Sequence, residues 1–348
     1  ALDEFDWRDR PPVATRVGRT APEVEDLILE IRRELRKESV LGEYGPLAIR
    51  RELEGRLDAQ RPPSVRTIAR ILERRGALDA KRRVRRPAPA PGWYLPDVRQ
   101  RLVELDSFHV ISGLQLKGGI GLDILTGISL HGALAGAWPT TGVNARLVVA
   151  LLDAHWREVG RPGYAQFDND SRFIGGWMHP NAIGPVIRYC LAVDVVPVFA
   201  PPVEMGFQAS IEAFNGRWQQ KLWARFWDPD LTALQERNAG YIGASRRRAA
   251  ARIEAAPPRT PFPADRAIDP GAPPTGRLVF LRRTSERGEA SVLGLRYPVD
   301  PHWIHRLVRA ELDLDGRQLR FYALRRRAPD DQPLLAQLPF QPPARWYR

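Results

Sequence analysis

The chain has a single cysteine, Cys190, in 348 residues, which rules out an internal disulfide framework and a Cys₂His₂ zinc finger. It has no apolar run long enough to span a bilayer, and its polar, Pro/Arg-rich residues 1–20 do not have the make-up of a signal peptide. Negative charge is in deficit. Asp and Glu number 41 against 53 Lys and Arg, a formal charge of +12 with pI near 10.4. That balance favours polyanionic partners, nucleic acid foremost. A cytoplasmic, nucleoid-associated location is the simplest expectation. The plainer reading of the same charge is an arginine-rich, solvated surface.

Proline is plentiful, at 32 residues, and its clusters divide the chain. Residues 1–21 read as an extended arm. Within 22–80, Val24, Leu27, Ile28, Ile31 and Leu35 recur at helical spacing behind Pro22 and the acidic Glu23, Glu25 and Asp26. A second helix carries Leu47, Ile49 and Leu53 as core positions. A third, capped by Ser64, carries Ile68, Ile71 and Leu72. Three short helices of this kind resemble a helix-turn-helix module. Ser64, Arg66, Thr67 and Arg70 then fall where DNA contacts are made. A small helical interaction domain with solvated arginines is the alternative.

Residues 81–96 form a basic, Pro-rich linker in which Lys81, Arg82, Arg83, Arg85 and Arg86 suit a phosphate backbone and Pro87–Pro91 keeps the chain extended. From 97 to 235 the pattern is α/β: strands at 103–111, 114–125 and 127–137, a helix at 143–159, a strand at 163–167, a helix at 183–192, a strand at 195–200 and a helix at 207–227. A basic, Pro-rich connector (236–274) follows, then four short β-like runs within 275–328, and a Pro/Gln-rich tail (329–348) expected to be loose.

Three acidic residues stand in distinctive settings. Asp106 lies in Val103-Glu-Leu-Asp-Ser-Phe-His-Val110, Asp168 in Phe167-Asp-Asn-Asp-Ser-Arg-Phe173, and Glu212 in Gln208-Ala-Ser-Ile-Glu-Ala-Phe-Asn215. The first two close apolar, β-prone runs and the third sits inside a helical stretch. Such a set can offer Mg²⁺ the hard oxygen ligands it requires. Two such ions clamp an in-line attack on a phosphodiester. Glu104 and Asp123 are further acids on the same strands.

These segments resemble those of DDE transposases with an integrase-type catalytic core, from insertion sequences related to retroviral integrases. Leu105-Asp-Ser-Phe108 is similar to the family's first-aspartate strand. Phe167–Phe173 is similar to its Asp-Asn-Gly-x-x-Phe signature, with Asp170 where glycine is usual. The interval from Asp168 to Glu212 is longer than usual, the excess falling in 175–184. The resemblance implies an RNase H-like core, a C-terminal SH3-like β-barrel, and Asp106, Asp168 and Glu212 as catalytic ligands of two Mg²⁺ or Mn²⁺ ions. Asn169 and Gln208 would orient those ligands or position DNA, and Asn215, Arg217 and Lys221 would contact the DNA end. It further implies cleavage of element ends and their joining to target DNA by a homo-oligomer on double-stranded DNA, with no membrane partner. His109 reads as a strand residue. The rival readings are an RNase H-like nuclease without strand transfer and a DNA-binding protein whose core is only scaffold.

Overall fold

The structure is a computed structural model that describes residues 20–57, 61–78, 92–96, 104–129, 133–175, 181–204, 206–226, 228–263 and 272–342. The basic stretch 81–86 and the proline run 87–91 lie outside the described residues. The chain divides into two compact units, Ala1–Val84 and Arg85–Arg348.

In the first unit, α1 (Pro22–Glu38), α2 (Pro46–Arg56) and α3 (Val65–Arg74) are the three expected helices. Proline opens α1 and α2, where its missing N–H costs nothing. Ser64 caps α3 by accepting from the Thr67 amide at 3.1 Å. Ile28, Ile31, Ile49, Leu53, Ile68, Ile71 and Leu72 form the core. Leu47 is the exception, at 49% exposed. At about 100° per residue it lies roughly 200° around the helix from Ile49, on the opposite side. Leu57–Ser64 separates α2 from α3, longer than the roughly three- to four-residue turn of a helix-turn-helix. The end of α3 is clamped to the start of α1: Arg74 pairs with Glu25, and Arg75 with Glu25 at 3.4 Å and Asp26 at 2.6 Å. This compensates the burial of Glu25.

The second unit is built on one nine-stranded mixed sheet. Its strands are β1 (Leu105–Gln115), β2 (Gly121–Ser129), β3 (Ala135–Thr140), β4 (Tyr164–Phe167), β5 (Val196–Phe199), β6 (Arg277–Arg283), β9 (Leu307–Asp313), β10 (Gln318–Ala323) and β11 (Leu334–Pro339). β7 (Glu289–Val292) and β8 (Leu295–Pro298) form a separate hairpin. The order across the sheet is β11-β10-β9-β6-β5-β4-β1-β2-β3. The β3-β2-β1 meander is antiparallel, while β4, β5 and β6 follow in parallel. With α4 (Ala145–Val159), α5 (Ser171–Ile174), α6 (Pro185–Ala192) and α7 (Ala209–Lys221), the element order is the expected one. It is consistent with an RNase H-like core. The meander starts later than expected because β1 runs on to Gln115 and the hairpin turns at Gly118 and Gly119, both at positive φ.

Strand alternation sorts the sheet into two faces. Phe108, Ala165, Phe167, Phe199 and Phe280 point to one face, under Val148, Leu152 and Trp156 of α4 and Ile187 of α6. Leu105, Tyr164, Val198, Val279 and Leu281 point to the other, with Trp93, Tyr94 and Phe207. Trp93–Leu95, expected in the linker, therefore belong to the core. Gly175 and Gly184 close the base of the long α5–α6 connection. A Cβ on Gly175 would stand 2.9 Å from the Gly184 Cα.

Three expectations for the C-terminal part change. Three of the four β-like runs are strands and the second, at 290–295, spans the β7–β8 hairpin, but they do not form a separate SH3-like barrel. β6 pairs in parallel with β5 through Val198↔Val279 and Phe199↔Phe280, and β9, β10 and β11 extend the same sheet. The supposed connector holds α8 (Leu231–Arg248) and α9 (Ala250–Ala255). α8 is anchored by Asn238, which donates to the Ala137 carbonyl and accepts from the Trp218 indole, both at 2.8 Å. The tail contributes β11, which covers the free edge of β10. No helix among the described residues is long and apolar enough to cross a membrane.

If β6 and β9–β11 complete this sheet, a fragment ending at 263 leaves β5 as a bare apolar edge. Such a fragment is expected to aggregate or to lose near-UV circular dichroism. A soluble fragment with native-like dispersion in ¹H–¹⁵N spectra would mean that the C-terminal strands are an independent domain.

Candidate functional site

Asp106, on β1 opposite Ala165, points into the α4 face and is 1% exposed. A charge there needs a partner. Arg259 supplies it, donating from its two terminal nitrogens at 3.2 Å to Oδ1 and 2.7 Å to Oδ2. The Trp156 indole donates to Oδ2 at 3.1 Å. Arg259 comes from the segment after α9, held in place by the bridge between Arg161 and Thr260. Beside it, burial pushes His155 down to about 4, so this imidazole is neutral at physiological pH.

His109 lies three residues further along β1, hence on the opposite face. Its Nε2 is 3.3 Å from Asp168 Oδ2, and its Nδ1 is 3.3 Å from the Asn215 side-chain amide nitrogen of α7. Asp168 follows β4 directly. Its Oδ1 accepts from the Asp170 amide at 3.1 Å. Desolvation raises its pKa above the ordinary carboxylate value, opposed by that amide and by His109. Asp170 behaves oppositely. It caps α5 and is paired with Arg172 at 2.6 Å, which lowers its pKa. Arg172 also reaches Asp123 at 3.3 Å. Asp106, Asp123 and Asp170 are thus each held by an arginine. Among the described residues the ion-pair partner of Asp168 is a histidine, with Arg172 acting on it from farther away.

Asn169 has a structural position rather than an open one. Its amide donates to the Ala200 carbonyl at 2.6 Å, and its oxygen accepts from Arg282 at 2.9 Å. Arg282, buried on β6 and pushed down to about 10, also donates to the carbonyls of Leu281 and Ser291.

Along α7, Gln208, Glu212 and Asn215 share one stripe at helical spacing. Glu212 is exposed and one turn before Asn215. Asn215 Oδ1 and Gln208 Nε2 are buried and find no hydrogen-bond partner among the described residues. Buried polar atoms of this kind call for a physical explanation, and a bound ligand is one. Arg217 lies roughly 140° around the helix from Glu212 and Lys221 roughly 180°, so neither shares that stripe.

The structure does not bring Asp106, Asp168 and Glu212 to one point. Among the described residues no group of three His, Cys, Asp or Glu side chains is placed to hold a metal ion. One carboxylate beside an imidazole is a poor donor set for a cation that takes about six oxygens. As arranged, these residues do not fit the two-ion centre that the resemblance implies. What they can do is hold a proton between a carboxylate of raised pKa and an imidazole. In the first unit Arg66 and Arg70 are exposed on one side of α3, with Ser64 and Thr67 at its start, while Arg74 and Arg75 are consumed by α1. His109, Arg259 and Arg282 are the site residues that sequence reasoning passes over. The odd spacing from Asp106 to His109 is the one signal that separates them.

No protein-family model and no curated protein matches the chain. Among solved structures, it is similar to a chain of the simian T-cell lymphotropic virus intasome in complex with PP2A regulatory subunit B56 gamma. The identity is 13%, covering 79% of this chain and 88% of that one, with a TM-score of 0.36. It is also similar to the HTLV-2 integrase catalytic core domain in complex with magnesium. The dimeric form is 10% identical over 39% of this chain and 84% of that one, at a TM-score of 0.30. The trimeric form is 9% identical over 42% and 84%, at 0.31. Likenesses of this degree carry no conclusion about activity or ligands, so the chemistry rests on the residues themselves.

A carboxylate whose pKa is raised on folding favours the folded state when protonated, and that contribution is lost as pH rises through its folded pKa. Asp168→Asn removes the ionisation and is expected to raise Tm at pH 7 by roughly 1–3 °C. The gain should vanish below about pH 4, where the parent side chain is itself neutral. Melts of both proteins from pH 3.5 to 8 check this. A variant less stable than the parent throughout would contradict it.

Proposed function

We propose that the chain is a DNA-processing enzyme of the integrase-type transposase class, acting on element ends from the α7 face of its sheet. The observation that carries this reading is the state of Asp168. It ends a central parallel strand, is half-buried and keeps a raised pKa, and its ion-pair partner among the described residues is His109, whereas Asp106, Asp123 and Asp170 are each held by an arginine. The amide atoms of Gln208 and Asn215 that find no partner among the described residues, on the same helix stripe as Glu212, support a ligand at this face. The strand order and the resemblance of the segments around Asp168 and Glu212 support a phosphodiester as that ligand.

In this reading Asp168 and Glu212 act on the DNA, His109 shares a proton with Asp168, and Asn215 fixes the imidazole. Asp106 holds the fold through Arg259. The three-helix unit contributes affinity through Arg66 and Arg70, and paired ends are held by more than one copy of the chain, since one site acts on one strand at a time. Localisation with the nucleoid follows from the substrate. A second reading, a DNA-binding protein with a non-catalytic core, is favoured by the arginine that occupies Asp106.

Labelled element ends incubated with Mg²⁺ or Mn²⁺ decide between them. Asp168→Asn and Glu212→Gln are each expected to lose cleavage and joining by at least about 100-fold, on the scale of a positioned catalytic group, while DNA binding is kept. Full cleavage by Asp168→Asn would discard the site. A parent protein that binds ends but never cuts them would establish the second reading.

A further inference from the structure

The C-terminal strands bring a second, strongly cationic feature to the same edge of the sheet as Asp168. Arg283 ends β6, Arg306 precedes β9, and Arg325, Arg326 and Arg327 follow β10. Because β6 is parallel to β4 and β5 while β9 and β10 alternate with it, all five emerge at the edge where β4 delivers Asp168. They line an open cleft of about 530 Å³ with one acid in its lining among the described residues, Glu204, from the loop that leads into α7, and Arg325 is also paired with Asp331.

The cleft is organised before any ligand arrives. Arg306 and Arg325 lie over the Trp303 ring at 4.7 and 5.6 Å, and Arg326 lies over Phe207 at 5.5 Å. Trp303 is 8% exposed, with its ring covered by guanidinium groups, so it offers no free surface for stacking a base. Arg283 pairs with Glu204, and Arg326 approaches the same carboxylate at 3.7 Å. Glu204 therefore sits where guanidinium groups converge on an oxyanion. Arg327 is exposed, without a partner among the described residues. Like charges gathered this closely repel unless an anion joins them. Guanidinium forks suit phosphate oxygens.

We propose that this cleft binds the phosphate backbone of duplex DNA, without reading its sequence, and that Glu204 competes with a phosphate for Arg283 and Arg326. The choice of DNA over another polyanion rests on the function proposed above. The geometry adds a register to it. The cleft runs from β6 to β10, two to four strand spacings of roughly 4.8 Å from β4, so DNA lying across the strand ends would meet it about 10–20 Å from Asp168.

The test is duplex binding, followed by fluorescence anisotropy with a 30-base-pair fluorescent DNA of mixed sequence, as a function of salt. It uses the full chain and, separately, the Arg66→Ala/Arg70→Ala background, so that the helical unit does not mask the cleft. Each phosphate contact contributes roughly 0.9 to the slope of log K against log salt. The triple variant Arg306→Gln/Arg326→Gln/Arg327→Gln is expected to flatten that slope by about 2–3 and weaken binding about 10- to 100-fold at 0.1 M salt. Arg327→Gln alone, which has no internal partner to lose, should flatten it by about 1. Glu204→Gln should change binding in the opposite direction, tightening it several-fold, which damage to the fold would not do. Unchanged binding by the triple variant in both backgrounds would overturn the proposal. So would polyglutamate or phosphatidylserine vesicles competing as well as unlabelled duplex at equal charge. A chain that never cleaves DNA but loses affinity in the cleft variants would retain the cleft and discard only the catalytic reading.

Discussion

Asp106 is a carboxylate sealed in the apolar layer between the sheet and α4, and everything around it is arranged to keep it there. The Trp156 indole takes one oxygen, and Arg259, 4% exposed at its side chain, takes both. Removing two such groups from water costs several kcal/mol each, and only close, hydrogen-bonded pairing offsets it. The pair ties the segment after α9 to the middle of the sheet. It also leaves the opposite face of β1 to His109, and so sets which side chains can meet Asp168.

The same device recurs. Arg282, on β6, spans from its own strand to the Asn169 amide beside Asp168 and the Ala200 carbonyl at the end of β5. Arg309, on β9, reaches the Tyr94 carbonyl and lies over Tyr322. Tyr94 in turn donates to Gln166 of β4 and to the Phe207 carbonyl before α7. Three buried arginines from the later half of the chain thus anchor the strand ends that frame the candidate site. Arginine keeps its charge even where burial lowers its pKa, so these anchors persist across physiological pH.

Much of the fold is legible in residues 105–221, because each apolar run there has the length of one element and is closed by turn formers. Ser64 and the Ile68, Ile71, Leu72 stripe define α3 equally well. Pairing partners are not legible in this way. Leu278–Leu281 reads the same whether it closes a small barrel or lies beside β5, and only tertiary contact with Val198 and Phe199 decides. Register is the other gap. Asp106 lies within a β-like run and Asp168 ends one, but a shift of one residue moves a side chain to the other face of a sheet, and no local pattern specifies it here. The lone histidine at an odd spacing carries the needed information, although a histidine within an apolar strand is ordinarily a structural residue. Asp168 itself, and its separation in role from Asp170, follows from the Phe167-Asp-Asn-Asp-Ser-Arg-Phe173 segment, where the cap and Arg172 claim the second aspartate.

The most direct test of this arrangement is a pair of double-mutant cycles read by urea unfolding. For Asp106 and Arg259, Arg259→Met alone is expected to cost about 3–5 kcal/mol, because it strands a buried carboxylate. The double variant Asp106→Asn/Arg259→Met should cost far less than the sum of its singles. For Asp106→Asn with Asp168→Asn, the effects should add within about 0.5 kcal/mol, as for groups on separate faces. Strong coupling between the two aspartates, together with a tolerated Arg259→Met, would place both carboxylates in one centre and contradict the account.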